Sequence, residues 1–319
     1  MLKGKIKNLA KNNIVLIFLF MVIVGMSFAN DIFFSFGNFI NILTQISIYG
    51  VVAYGMTFAI ICGEFDLSVS STFALSSVAF IYFSNIIGIL PSILLVLCMG
   101  ALIGLINGLL VSKVGINAFV VTLATMVSIK GIALFWTDGK PIRNNSEIVY
   151  QLGNGKLFGV PYIIILFVLV LIISEFVLRK TTFGRNIYAT GGNYDVAKVA
   201  GINVVFYKTI VFIILGSLAA LQGTVLALRM GSGSSLFGGD LALSVVAAVV
   251  IGGTNLTGGK GSAIKTFLGL LLIGVIFNSL TLLNVSAYYQ DIIKGSVLIA
   301  VVSFDVLSSM TGKRAVERI

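Results

Sequence analysis

Ten apolar stretches recur along this chain, near residues 13–29, 40–61, 71–89, 92–111, 117–136, 161–178, 208–228, 241–253, 263–283 and 289–307. Apart from the eighth, they are about as long as the roughly 20 residues that a helix needs to cross a hydrocarbon core of about 30 Å. No water is present in such a core to satisfy peptide groups, so a spanning segment must satisfy its own, and runs of this length do so as helices. The expected fold is an all-α polytopic membrane protein with about ten transmembrane helices, residues 1–319 forming one membrane domain. A composition of 58% hydrophobic and 10% charged residues places the chain with integral membrane proteins and not with soluble domains. The eighth stretch is short, and polar residues separate the second from the third, so broken helices are expected at both places.

The charges orient these spans. Lys and Arg number 21 against 11 Asp and Glu, a net charge of +10. In a polytopic chain this balance points to basic cytoplasmic loops and not to nucleic acid. With the N-terminus in the cytoplasm, Lys130 and Lys294 fall within spans, and only Lys140, Arg143, Lys156 and Arg229 fall outside the membrane. Every other basic residue lies at the inner face, which satisfies the positive-inside rule and puts both termini in the cytoplasm. The alternative makes the first stretch a signal peptide cleaved after Ser27-Phe28-Ala29. A retained span is the simpler reading.

Between the sixth and seventh stretches lies a polar, basic, glycine-marked island, residues 179–208. Connections of about 30 residues without an apolar run are uncommon inside a compact fold and usually functional. The topology above places the island in the cytoplasm. Residues 194–200 are compatible with a short helix, and Gly201 suits its C-terminus. The functional reading is that the island receives force from another protein; the bland one is a solvated basic loop.

Little in the chain supports chemistry. It contains no histidine, which removes the commonest general base and metal ligand. Its two cysteines, Cys62 and Cys98, are too far apart for a redox or zinc motif. The run Gly252-Gly253-Thr254-Asn255-Leu256-Thr257-Gly258-Gly259-Lys260-Gly261-Ser262 is not a phosphate-binding loop, which would need glycine at Thr254 and a hydroxyl at Gly261. A tight inner turn is expected there. Tyr194-Asp195 and Gly238-Gly239-Asp240 fail as an intramembrane aspartyl protease pair, because the first lies in the polar island and Phe237 replaces the glycine of the second. Gly100, Gly104 and Gly108 recur at a spacing of four, a smooth face for helix packing, within one subunit in preference to a dimer contact.

The informative acids are Glu64 and Asp66, set among apolar neighbours where a charge at depth costs roughly 2.5–3.5 kcal/mol. Asp66 either caps the following helix or, with Glu64, faces a water-filled path. Asp66-Leu67-Ser68-Val69-Ser70 is echoed by Asp240-Leu241-Ala242-Leu243-Ser244 five spans later. That interval is consistent with an inverted five-plus-five repeat. Such features also suit a cation-coupled secondary transporter of a small polar solute, but a secondary transporter needs no large cytoplasmic docking surface.

Taken in order, several segments resemble the permease subunits of bacterial carbohydrate importers of the ATP-binding-cassette (ABC) class, the ribose, xylose and galactoside type in the branched-chain amino acid and sugar permease superfamily. They are Gly63-Glu64-Phe65-Asp66-Leu67-Ser68, Phe119-Val120-Val121-Thr122-Leu123-Ala124-Thr125-Met126, Thr137-Asp138-Gly139-Lys140-Pro141-Ile142, Thr182-Phe183-Gly184-Arg185 through Gly191-Gly192-Asn193 to Gly201-Ile202, and the glycine-rich run at 252–261. Ser70 and Lys265 stand where glycine is usual, Ala118 where proline is, and Val196 where alanine is. The resemblance implies a type II ABC importer-like permease in the bacterial cytoplasmic (inner) membrane, pairing as a homo- or heterodimer. It also implies a cytoplasmic ABC ATPase that uses ATP and Mg, and an extracytoplasmic sugar-binding protein. No cofactor is expected on this chain, and no catalytic or metal-binding residue. By the same resemblance residues 192–201 form a coupling helix seated in the ATPase, with Arg185, Gly192, Asn193, Ala197, Lys198 and Gly201 at the contact. Glu64, Asp66, Asn107, Thr122, Gln222 and Asn278 are candidates to line or gate the sugar path, each able to hydrogen-bond a hydroxyl.

Overall fold

A computed structural model describes residues 14–293 together with 295, 296 and 299. Its elements in chain order are α1 (Ile14–Ala29), α2 (Phe36–Ile61), α3 (Val69–Ile87), α4 (Ile89–Leu109, continued by a π turn over Leu110–Val114), α5 (Ala118–Thr137), α6 (Glu147–Asn154), α7 (Tyr162–Lys180), α8 (Thr182–Gly192), α9 (Tyr194–Val199), α10 (Val204–Met230), α11 (Leu241–Ile251) and α12 (Ala263–Leu282). Four two-residue strands, β1 (Ile142–Arg143), β2 (Lys156–Leu157), β3 (Val160–Pro161) and β4 (Ser232–Gly233), pair antiparallel as β1 with β4 and β2 with β3. They staple the connections on the face opposite the island.

Seven helices, α2, α3, α4 with its π turn, α5, α7, α10 and α12, are long and apolar enough to cross a membrane, and α1 and α11 are shorter apolar helices. Nine of the ten expected stretches therefore correspond to helices, and most of the tenth, 289–307, lies outside the described residues. The breaks fall where polarity predicted them: non-helical residues 62–68 separate α2 from α3, and α11 has only 11 residues. At about 1.5 Å per residue α11 covers roughly half of a hydrocarbon core.

The island is not a loop. α7 runs on to Lys180, α8 and α9 fill the interior, and α10 begins at Val204, four residues before the apolar stretch does. Local side chains dictate this. Thr181, Asn193 and Asn203 each accept a hydrogen bond from a backbone N–H in the first turn of α8, α9 and α10, at Gly184, Val196 and Phe206 respectively. α9 ends where Gly201, at φ 80°, lets its N–H reach the Lys198 carbonyl at 3.1 Å and that of Ile202 reach Ala197 at 3.0 Å. The same pair of bonds, Gly63 to Ile60 and Glu64 to Ala59, ends α2.

α2 and α10 form the centre. From Gly50 to Ile61 every residue of α2 is buried, as expected of a helix surrounded by others. Val211, Leu215 and Ala219 of α10 and Leu241, Val245 and Ala248 of α11 join it in one apolar cluster. The glycine ladder packs within the chain: a Cβ at Gly100, Gly104 or Gly108 would lie 2.5, 2.2 or 2.9 Å from backbone or side-chain atoms of α10. Backbone contact of this kind favours helix association in a lipid solvent, where apolar burial alone gives little drive. Leu94, Leu102, Val127, Phe135, Ile172 and Phe176 of α4, α5 and α7 stay exposed, as lipid-facing side chains do.

Candidate functional site

The island closes on the inner ends of the spans through glycine. A Cβ on Gly191 of α8 would stand 1.8 Å from the Ile61 carbonyl oxygen, so only a residue without one fits against the end of α2. The glycine-rich turn after α11 comes to the same place. The Gly259 N–H donates to Ile61 O at 2.8 Å, and Cβ atoms on Gly258 and Gly259 would meet Gly191 O at 2.6 Å and Gly192 Cα at 2.8 Å. Tyr188 Oη donates to the Gly261 carbonyl at 2.8 Å. The turn that cannot cradle a phosphate is thus a backbone surface against which α8 lies.

Charge fixes the same junction from the other side. Lys208, in the first turns of α10, pairs with Glu64 in the α2–α3 connection, both side chains largely buried, and lies 5.5 Å from the centroid of the Tyr194 ring. Asn186 Nδ2 donates to Tyr207 Oη at 2.6 Å. Arg179 pairs with Glu175, whose other oxygen accepts from the Ile264 N–H at 3.2 Å, tying α7 to the start of α12. Burial and the Glu175 carboxylate raise the pKa of the Tyr188 phenol above its ordinary range, with Arg179 opposing them.

From this anchored base α9 projects outward. Ala197 is its one buried side chain. Val196 and Val199, three residues apart on one face, are 64% and 90% exposed, and Tyr194 is exposed beside them. Of the residues expected to couple, Gly192, Asn193, Lys198 and Gly201 are exposed on or beside α9, Arg185 is exposed on α8, and Ala197 is the anchor. The sequence marks Val196 only as a departure from the family's usual alanine and does not mark Val199; their exposure is what pairs them.

Each of the six residues expected along a path has a partner within the bundle. Glu64 is held by Lys208. Asp66 Oδ1 accepts from the Ser68 N–H at 2.7 Å and the Ser68 hydroxyl at 2.6 Å, an Asx turn that leads into α3 and not a cap on it, since the N-cap position is Ser68. Asn107 joins it, its amide donating to Ser68 Oγ at 2.9 Å and Asp66 Oδ2 at 3.4 Å, while Thr125 donates to the Asn107 oxygen at 2.7 Å. Burial raises the Asp66 pKa, and the Ser68 and Asn107 bonds oppose the shift. Thr122 bonds the Ala118 carbonyl of its own helix. Gln222 donates to Ser47 O at 2.9 Å, and Asn278 exchanges amide bonds of 3.0 and 2.7 Å with Asn38, so both brace α2 against neighbouring helices. The two acid-serine segments do meet, the Ala242 N–H donating to Ser70 Oγ at 2.9 Å where α3 and α11 begin. Among the described residues no group of three carboxylates or thiols could hold a metal ion.

On the island side α9 leaves apolar side chains in contact with solvent. A family model described as "Branched-chain amino acid transport system / permease component" matches residues 38–302. The chain belongs to this permease family. It is 39% identical over 292 residues to the ribose import permease protein RbsC of Haemophilus influenzae, with 90% of each chain covered. Against the RbsC of Bacillus subtilis the identity is 40% over 291 residues, again 90% of each. The L-arabinose transport system permease protein AraH of Escherichia coli is 38% identical over 278 residues, 85% of this chain and 84% of its own. No solved structure matches this permease. The relatives carry the resemblance already visible in the sequence segments, and the apolar helices make it a multi-pass membrane protein.

Proposed function

We propose that this chain is the permease subunit of an ATP-driven importer that moves a ribose-like monosaccharide across the bacterial inner membrane, with both termini in the cytoplasm. Residues 1–319 act as one membrane domain of ten helices in two inverted halves, and the segment 179–208 is its coupling element. A cytoplasmic ABC ATPase hydrolyses ATP with Mg, an extracytoplasmic sugar-binding protein delivers the sugar, and a second permease subunit completes the path. The chain has no ATPase site of its own.

The observation that carries this reading is α9, a six-residue helix that exposes Val196 and Val199 to water next to a glycine joint with the end of α2. Exposed apolar side chains on a soluble face mark a protein contact. Closing of the ATPase on ATP would displace α9 and α8. The displacement reaches the α2–α3 connection through Gly191 against Ile61 and Lys208 against Glu64. A rigid junction with two arrangements is what a coupled machine needs, because packed interfaces shift between states and do not deform continuously. A secondary transporter has no use for such a surface.

The test is sugar uptake into proteoliposomes holding the permease, with ATPase and binding protein supplied separately. Uptake is expected to require all three and ATP. Uptake that proceeds without the ATPase and follows an ion gradient would replace this reading with secondary transport.

A further inference from the structure

A cavity of about 140 Å³ opens between α2, α11, α12 and the helical residues 287–293, and none of the six residues expected to line the path is among its lining. Its polar lining is Gln45 and Tyr49 from α2, Ser244 from α11, and Gln290 and Asp291, with Phe277 of α12 beside them. Gln45 is the informative one. It lies nine residues into α2, roughly 14 Å along the helix from its first residue, yet its side chain is exposed and has no hydrogen-bond partner among the described residues. A primary amide facing hydrocarbon would cost several kcal/mol. The face of α2 that bears Gln45 therefore looks onto water, a polar solute or the second permease subunit and not onto lipid.

The remaining groups complete a hydrogen-bonding site. Ser244 Oγ donates to Asp240 at 3.2 Å, which leaves the serine oxygen able to accept. Gln290 donates its amide to the Val285 carbonyl at 3.0 Å, which leaves its own carbonyl oxygen as an acceptor. Asp291 is exposed. Tyr49 and Phe277 supply aromatic surface. An apolar cavity of roughly 150 Å³ admits a benzene ring. One of similar volume, whose wall joins two amides, a hydroxyl and a carboxylate to apolar groups of Ile46, Ala248, Leu270 and Ile273, suits a ring that carries hydroxyls on an apolar frame. α2 and α12 are held close at its edge, a Cβ on Gly274 falling 2.2 Å from a methyl of Ile46.

We infer that this cavity holds the transported monosaccharide during its passage, Gln45, Ser244, Gln290 and Asp291 bonding its hydroxyls while Tyr49 and Phe277 contact its ring. The inference rests on the importer reading above. A few neutral hydrogen bonds and one carboxylate make a weak site, as release requires. The carboxylate favours hydroxylated solutes over anions.

The test uses the complete complex in proteoliposomes. Gln45→Cys and, separately, Ser244→Cys are placed in a Cys98→Ser background, which leaves the buried Cys62 as the native thiol. A charged, membrane-impermeant thiol reagent is expected to modify both positions. Ribose delivered under turnover should slow modification at least about twofold, the effect of half occupancy. Gln45→Leu should lower ATP-driven uptake about three- to tenfold, the loss of one hydrogen bond, while the binding protein still stimulates ATP hydrolysis. Modification by lipid-soluble reagents alone, or a labelling rate indifferent to sugar in a complex that transports it, would overturn the assignment of the cavity. A wild-type complex that imports no monosaccharide would instead overturn the importer reading, and the sugar as occupant with it.

Discussion

Gly191 and Gly192 are adjacent, chemically identical and opposite in consequence. A Cβ at Gly191 would sit 1.8 Å from Ile61 O, whereas one at Gly192 meets nothing within 4 Å. Ordinary van der Waals contact begins at 3.4 Å, so Gly191→Ala must drive α8 and the end of α2 apart by about 1.5 Å, and the obstructing atom is backbone that no rotamer can move. The bonds at stake are Gly259 N–H to Ile61 O, which joins the turn to α2, and Tyr188 Oη to Gly261 O, which joins it to α8, both 2.8 Å; opening by that amount takes one of them past hydrogen-bonding distance, according to whether the turn stays with α2 or follows α8. One lost bond at about 1 kcal/mol is roughly fivefold in the population of the seated arrangement. Gly191→Ala is therefore expected to cut ATP-driven uptake about fivefold in proteoliposomes while the permease still purifies and binds its ATPase. Gly192→Ala should leave uptake within about twofold, since alanine is favoured over glycine in a helix by about 1 kcal/mol. Equal uptake by the two variants, or a greater loss at Gly192, would refute the claim that motion passes through this joint.

Two further outcomes follow from the same geometry. Val199→Glu combined with Lys198→Glu should abolish co-purification with the ATPase and coupled uptake, leaving the melting temperature of the detergent-solubilised permease unchanged; retained binding would show that α9 does not dock, and Arg185→Glu should weaken coupling in the same assay. Lys208→Ala leaves Glu64 largely buried and unpaired, which should destabilise the permease by about 1–3 kcal/mol after allowance for partial solvent access. The exchange Lys208→Glu with Glu64→Lys should recover part of that loss, and thermal melting of all three variants measures the coupling.

Much of the fold was legible because lipid imposes it. Helices at nine of the ten apolar stretches, the break before α3 and the short α11 follow from hydropathy and from the placing of polar residues alone. The helix at α9 followed from helix-compatible residues 194–200 and Gly201 after them, local signals that need no tertiary contact; its Asn193 cap emerged with the structure. The rest of the island carries no such signal, because a span is recognised by its apolar run whereas α8 is a polar helix defined by its Thr181 cap. Among the site residues, Glu64 stood out as a buried acid, but its partner Lys208 lies 144 residues away in sequence. Gln222 and Asn278 resembled Gln45 in being polar residues within spans. Only packing shows that the first two are braced against α2 while Gln45 faces open space.

The sequence by itself determined that the chain lives in a membrane, roughly how many times it crosses, where its basic residues gather and which family it joins. These are properties of composition and period, and each can be read from a window no wider than one helix. Tertiary structure decided which of two neighbouring glycines has no room, which acid is neutralised by which cation, and which polar side chain in a span meets a cavity. The physical reason is that close approach, charge pairing and exposure belong to pairs of elements. The residues that make them, Gly191 with Ile61 and Lys208 with Glu64, are brought together only when the whole bundle closes.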